Sequence, residues 1–202
     1  MRPLHIVAPL SLLVAVGSSL PTSAAAQRRP SAAGTHLRDY GLFAGLDLRF
    51  GDVMGEFGAF VGAHAAVLLK NRVYVGVSGA GLATDNATFS PNPQLAPEPI
   101  SMGYGGMLLG YVVQTPSLLH VTVDALLGAG AVGALRDRRG SDDDDAVFVF
   151  EPSAMVEVNL APFARVGLGA SYRFVGDVDL PGIRDKDLRG VSGAVTIRVG
   201  KF

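Results

Sequence analysis

Apolar and polar residues alternate along most of the chain. In "FARVGLGASYRF", Ala164, Val166, Leu168, Ala170, Tyr172 and Phe174 share one parity, while Arg165, Gly167, Gly169, Ser171 and Arg173 share the other. Period two places the first set on an oily strand face and the second on a polar one. "AVFVFEPSAMVEVNL" repeats the arrangement, with Phe148, Phe150, Ala154, Val156, Val158 and Leu160 against Glu151, Ser153, Glu157 and Asn159. "LFAGLDLRF" sets Leu42, Ala44, Leu46, Leu48 and Phe50 against Gly45, Asp47 and Arg49. The pattern predicts eight strands, at 40–50, 57–69, 72–83, 102–114, 118–132, 146–160, 163–175 and 190–202. The fourth, "MGYGGMLLGYVV", alternates poorly and is placed by count and spacing.

Such strands are long for a soluble sandwich, where about 5–6 residues is usual. They suit a bilayer, which a tilted strand crosses in about 9–11 residues. The connections point the same way. About six residues around "GDVMGE" are followed by a tight "KN", a long "TDNATFSPNPQLAPEPIS", a tight "TPS", a long "GALRDRRGSDDDD", a tight "AP" and a long "GDVDLPGIRDKDLRG". Short turns alternating with long loops are the habit of outer-membrane barrels, with the short turns in the periplasm. The expected fold is therefore all-β, an eight-stranded antiparallel up-and-down transmembrane β-barrel with its apolar parity facing lipid.

Composition sharpens this picture. The chain is 49% apolar with only 17% charged residues, carries 26 glycines and has a formal charge of −1. Low charge without a long apolar helix fits a barrel, and a net charge near zero gives no electrostatic case for nucleic acid. There is no cysteine, which removes disulfides and thiolate metal sites. At the start, Arg2, the apolar "IVAPLSLLVAV" and "TSAAAQ" form a signal peptide, with Ala24 and Ala26 before a cleavage point at Gln27. The expected organisation is a signal peptide at 1–26, a periplasmic tail at 27–39 and the barrel at 40–202.

One segment reads two ways. In "LLGAGAVGAL", Gly128, Gly130 and Gly133 spell G-x-G-x-x-G after a strand-like run, the dinucleotide-binding fingerprint. That fingerprint needs a full helix and a second βαβ unit. "ALRDRRGSDDDD" instead breaks at Gly140, and Gly128 and Gly130 share the polar parity of their strand with His120, Thr122 and Asp124. The segment is read as a strand.

Turning the polar parity inward yields a candidate interior network of Asp47, Arg49, His64, His120, Asp124, Glu151, Glu157, Arg165, Arg173 and Arg198. Four acids face four arginines. An eight-stranded barrel is just wide enough for side chains to fill, and charges inside must be paired. The "AP" hairpin brings Glu157 or Asn159 near Arg165, and Glu151 near Arg173. The network is expected to replace a hydrophobic core; a narrow gated ion path is the alternative.

Neither H-E-x-x-H nor G-x-S-x-G occurs, and the "GVSGA" near-misses lie in strands. No cofactor and no enzymatic activity is expected; a lipid-modifying enzyme would need a Ser–His pair assembled near one rim. Asp142–Asp145 follow Arg136, Arg138 and Arg139 across Gly140. They read as a solvated loop tip, with a cation or lipopolysaccharide-bridging site as the alternative. A soluble lipocalin-like barrel is a further alternative, and it would reverse every inward and outward assignment.

The signal peptide, the strand ladder and the terminal "VSGAVTIRVGKF" resemble the family of small bacterial outer-membrane β-barrels over nearly all of residues 38–202. In that family an alternating last strand ending in phenylalanine is recognised by the barrel-assembly machinery, and Val195, Ile197, Val199 and Phe202 resemble that signal. Phe202 is out of phase with the other three, which a bulge at Gly200 would restore. The resemblance implies outer-membrane residence; the whole reading of the chain adds the expectation of a monomer in contact with lipid and lipopolysaccharide, with a structural or surface-interaction role through loops 84–101, 134–145 and 177–189.

Overall fold

The computed structural model describes residues 40–84, 87–89, 98–113, 118–134, 145–179 and 183–202. The expected signal peptide and N-terminal tail, Arg136, Arg138, Arg139, Asp142–Asp144 and most of the 84–101 loop lie outside them. Eight long strands form the barrel: β1 (Tyr40–Val53), β2 (Glu56–Leu69), β3 (Val73–Leu82), β4 (Glu98–Val113), β5 (Leu119–Ala134), β6 (Asp145–Ala161), β7 (Ala164–Gly176) and β8 (Gly190–Lys201). A four-residue helix, α1 (Asp185–Leu188), precedes β8, and a short strand at Thr88–Phe89 pairs with the start of β4. Every neighbour is antiparallel. The β1–β8 and β3–β4 pairings close the sheet on itself, leaving no barrel edge unpaired.

The direction of the alternation is unambiguous. On β1, Leu46 is 63% exposed and its neighbour Asp47 7%. Leu42, Leu168, Ile197 and Val199 likewise stand outward, while Glu157, Thr196 and Arg198 are buried. This is a transmembrane barrel, and a soluble lipocalin-like arrangement is ruled out because its oily parity would have to face inward. Aromatic rings sit near both ends of the outer surface. Phe50 stacks on Phe57 at 6.2 Å and Phe150 on Phe174 at 5.8 Å toward the loop end; Tyr40, Tyr111 and Phe163 are exposed toward the turn end. Since Leu46 lies near the middle of its strand, Leu46→Arg is expected to cost about 2–4 kcal/mol in a bilayer. Urea titration of the protein refolded in vesicles measures this; an unchanged midpoint would contradict the outward assignment.

Three expectations about the strands need correction. The first loop-end connection is not six residues long but a two-residue hairpin at Met54–Gly55, with φ of 58° and 81°. Left-handed geometry at both central positions matches the strand twist, and the Gly55 N–H donates to Asp52 Oδ1 at 3.1 Å. The "AP" turn falls one residue later, at Pro162–Phe163, after a ladder shift between Asn159 and Ala161. β4 does alternate: Met102, Tyr104, Leu108 and Val112 face in, and Met107, Leu109, Tyr111 and Val113 face out. Its period was hidden because both faces are apolar.

That strand shows that the interior is not uniformly polar. Toward the loop end, Val53, Phe60, Ile100, Met102, Leu126 and Val149 belong to one buried apolar cluster, closed over by Ile183 and Leu188. Toward the turn end, Phe43, Leu68, Tyr74, Leu108 and Val112 form another, with Phe202 against it. The glycine motif lies wholly within β5, so the nucleotide reading fails. Gly130 is opposite Tyr104 on β4, and a Cβ there would come within 2.7 Å of Tyr104 Cβ. The glycine leaves room for a tyrosine.

Candidate functional site

Alongside the two apolar clusters runs a belt of charge, each group aimed inward by strand parity. All ten residues of the candidate network face the lumen. β1 supplies Asp47 and Arg49, β2 His64, β5 His120 and Asp124, β6 Glu151 and Glu157, β7 Arg165 and Arg173, and β8 Arg198.

Glu151 is 3% exposed and organises the upper part of the belt. It accepts hydrogen bonds from Tyr104 Oη at 2.5 Å and Ser171 Oγ at 2.7 Å, and pairs with Arg49 Nε at 3.2 Å. Arg49 also lies 3.8 Å from Asp47, whose Oδ2 is 2.8 Å from His64 Nδ1. Lower down, Asp124 accepts from Tyr74 Oη and Ser153 Oγ, each at 2.5 Å, and from Arg198 Nη2 at 3.2 Å. Arg198 Nη1 pairs with Glu157 Oε1 at 2.5 Å. Glu157 is fully buried; it also accepts from Thr122 Oγ1 at 3.1 Å, and Arg165 Nη1 is 3.9 Å from its other oxygen. These carboxylates collect several donors apiece, the condition under which buried charge is tolerated.

The expected Glu157–Arg165 proximity is present; the Glu151–Arg173 pair is not. The β6–β7 register continues from Phe150↔Phe174 to Ser153↔Ser171, so the two residues are cross-strand neighbours. Their side chains nevertheless part. Glu151 reaches across the lumen to β1, while Arg173 rises to donate from Nε to Leu188 O at 3.0 Å and from Nη2 to Asp52 O at 3.5 Å. Its guanidinium lies 4.3 Å above the Phe60 ring. Register fixes which backbones are adjacent, but in a narrow lumen a long side chain chooses among strands on every side.

Tyr74, Tyr104, Thr122, Ser153 and Ser171 are absent from the candidate network although they hold it together. A usable signal exists for the tyrosines: each inward tyrosine stands opposite a glycine, Tyr74↔Gly110 and Tyr104↔Gly130. The terminal strand shows no bulge at Gly200. Its pairing with β1 runs regularly through Ala44↔Val199, Phe43↔Gly200 and Leu42↔Lys201. Ile197 and Val199 face outward, whereas Phe202 stacks on inward-facing Phe43 at 5.5 Å with the Arg165 guanidinium 3.9 Å over its ring.

The belt encloses a cavity of about 20 Å3 bordered by Asp47, Arg49, His64, Ser78, Asp124 and Arg198, room for about one water molecule. His64 and Ser78 are register partners, yet the ring leans the other way. His64 Nδ1 meets Asp47, and Nε2 lies 2.6 Å from where a Cβ on Gly45 would stand. His120 Nε2 is 2.9 Å from Asn159 Nδ2. Among the described residues no histidine is hydrogen-bonded to a serine, and no group of three or more His, Asp or Glu side chains converges as a metal site.

No family model matches the chain, and no curated protein matches it in sequence. Solved structures do. The chain is similar to Neisserial surface protein A, at 17% identity and a TM-score of 0.60, over 81% of this chain and 97% of that one. It is also similar to the N-terminal β-barrel domain of Pseudomonas aeruginosa OprF, at 10% identity and a TM-score of 0.51, over 78% and 96%. The shared feature is the fold, the small eight-stranded barrel of outer-membrane proteins.

Proposed function

We propose that this protein resides in a bacterial outer membrane as a sealed monomeric barrel, and that its role is structural or surface-interactive, exercised through its external loops. The observation carrying this reading is the filled interior: mutually paired charges packed against two apolar clusters. The cavity between them measures about 20 Å3. Paired charges and packed apolar side chains leave little room for a hydrated ion among the described residues, and four inward carboxylates facing four arginines set up no strong selective field. In this reading the belt serves as a core for a barrel whose oily side chains are committed to lipid.

The outward apolar band and its aromatic rings suit contact with outer-membrane lipid and lipopolysaccharide. Val195, Ile197, Val199 and Phe202 would meet the barrel-assembly machinery before the barrel closes. Phe202 then turns inward, where it packs on Phe43.

Two measurements test the reading. Refolded protein in planar bilayers is expected to give no discrete conductance steps; stable steps that shift on Arg49→Ala would instead favour the narrow channel. On intact cells, trypsin is expected to cut at Arg136, Arg138 or Arg139 in the 134–145 loop, giving paired fragments in the outer-membrane fraction. Full protection would place that loop elsewhere.

A further inference from the structure

The formal charge of −1 conceals two ends of opposite sign. At the loop end, the described residues between 52 and 56 and between 177 and 189 hold six acids and three bases. The turn end is the reverse. Its outward charges are Lys70 and Arg72 in the β2–β3 turn and Lys201 at the end of β8, all exposed, and no acid stands among the described residues there. The stretches joined to this end beyond the described residues, 27–39 and 114–117, have Arg28, Arg29, Arg38 and Asp39 as their charged residues. In sequence, too, the excess is positive.

The three cations are not spread evenly around the rim. β8, β1, β2 and β3 are successive neighbours in the sheet, and Lys201, Lys70 and Arg72 all lie on that half. The half formed by β4 to β7 ends in exposed Val113, Leu118, Leu160 and Phe163, with no outward charge among the described residues. None of the three cations forms an ion pair with a described residue. Turn chemistry does not call for the first of them either. Lys70 has a φ of 50°, where a tight hairpin favours asparagine or glycine.

Their depth selects the partner. Lys201 is the register partner of Leu42, Lys70 follows directly on Leu69, and Arg72 directly precedes Val73. Tyr40, Leu42, Val73 and Tyr111 are exposed beside them, so the cations begin where the lipid-facing band ends. Long basic side chains at that level lay their stems on apolar surface and put their charge among the headgroups. The anions within reach there are lipid phosphates. Three cations without a protein counter-charge favour a headgroup with net negative charge over a zwitterionic one.

We propose that Lys70, Arg72 and Lys201 form a binding surface for anionic phospholipid headgroups, confined to the β8–β3 half of the turn end. The inference deepens the membrane reading by naming a lipid class and rests on that reading; it needs nothing from the external loops. A barrel held in this way gathers anionic lipid along one side of its turn end and not along the other.

The chain has no tryptophan, so a single substitution installs a unique fluorophore. Tyr111→Trp places it beside Arg72, because Tyr111 pairs with Val73 and the Val112 N–H donates to Arg72 O at 2.6 Å. Leu160→Trp is the matched reporter on the uncharged half. Each full-length barrel is refolded into vesicles of phosphatidylcholine and phosphatidylglycerol in equal parts, with the acyl chains of one or the other brominated. Bromine quenches only the tryptophan it touches, and with both leaflets alike the direction of insertion does not matter. Heat-modifiable mobility reads insertion separately, so a chain that stays out of the bilayer is told apart from one that enters without choosing its lipid. Phosphatidylglycerol is expected to be enriched about two- to five-fold at Tyr111→Trp, a preference within the reach of one near-surface cation, and not at Leu160→Trp. Combining Lys70→Gln, Arg72→Gln and Lys201→Gln should bring the first reporter down to the second, as should salt at about 1 M. Equal quenching by the two lipids at Tyr111→Trp overturns the proposal, and so does equal enrichment at both reporters. Enrichment that survives the triple glutamine variant overturns the assignment to these residues. Should that variant fail to insert, enrichment unmoved by salt decides the same way.

Discussion

Glu151→Ala should lower barrel stability by about 3–5 kcal/mol, because it removes one partner of a buried pair and leaves the other behind. Three donors converge on this carboxylate, from Arg49, Tyr104 and Ser171. Asp47, at 3.8 Å, cannot replace the 3.2 Å contact that Arg49 would lose. Glu151→Gln keeps the volume and one acceptor oxygen while turning an NH2 group toward donors, so its cost should be smaller, about 1–3 kcal/mol. The double variant Glu151→Ala with Arg49→Met removes both charges and should be less damaged than Glu151→Ala alone. The urea midpoint for loss of the folded gel band, taken across the parent and these three variants, reads the order directly. Equal midpoints would mean that the belt fills space without holding the barrel together.

The second large effect is expected from one methyl group. Gly110 lies opposite Tyr74, and a Cβ at that position would fall on the tyrosine ring. Gly110→Ala therefore has to displace the ring, which costs about 1–3 kcal/mol in overpacking. The displaced ring also gives up the hydrogen bond from Tyr74 Oη to Asp124, and stranding those groups adds about 1–3 kcal/mol. Gly103→Ala is the control. It faces lipid, and the nearest atom to a methyl added there would be 3.9 Å away, so its effect should stay within about 0.5 kcal/mol. On a Tyr74→Leu background the Gly110→Ala cost should largely disappear, and a double-mutant cycle gives the coupling. If Gly110→Ala and Gly103→Ala cost the same, the glycine makes no room for the tyrosine.

Both expectations rest on contacts between side chains of different strands, which is where reading from the sequence fails. Seven strands and their parity follow from alternation, since a strand shows opposite faces at every step whatever surrounds it; β4, with both faces apolar, follows only from count and turn spacing. Parity also picked out each charged residue of the belt that ends up inside. Partners were another matter. Glu151 and Arg173 are neighbours in the ladder, yet the carboxylate crosses to Arg49 and the guanidinium rises to Leu188 O. Hairpin reasoning sees only the adjacent strand. The tyrosines were passed over because a phenol on the inward parity of a glycine-rich strand carries no period of its own; its meaning lies in the glycine on the next strand.

The last strand makes the same division in miniature. Its alternation and its phase mismatch at Phe202 are plain in the sequence, but whether a bulge corrects the mismatch is not. The ladder runs straight through Gly200 and Phe202 turns inward, because Phe43 and Arg165 offer it an oily wall and a cation to lie under. The burial of Ile183 and Leu188 was equally hidden. "GIRDKDLRG" reads as an external loop, and only the closed barrel supplies the apolar rim that draws Ile183 and Leu188 down.

The sequence by itself determined the architecture of this protein, because the period-two pattern is a local property legible in every strand but β4, which the count and spacing of the others supplied. The tertiary structure decided the pairing of the buried charges, the places where tyrosines fit and the packing of Ile183 and Leu188 onto the loop-end cluster. Those depend on which side chains from distant strands arrive in the same small volume, and closure of the sheet, not the order of residues along it, brings them together.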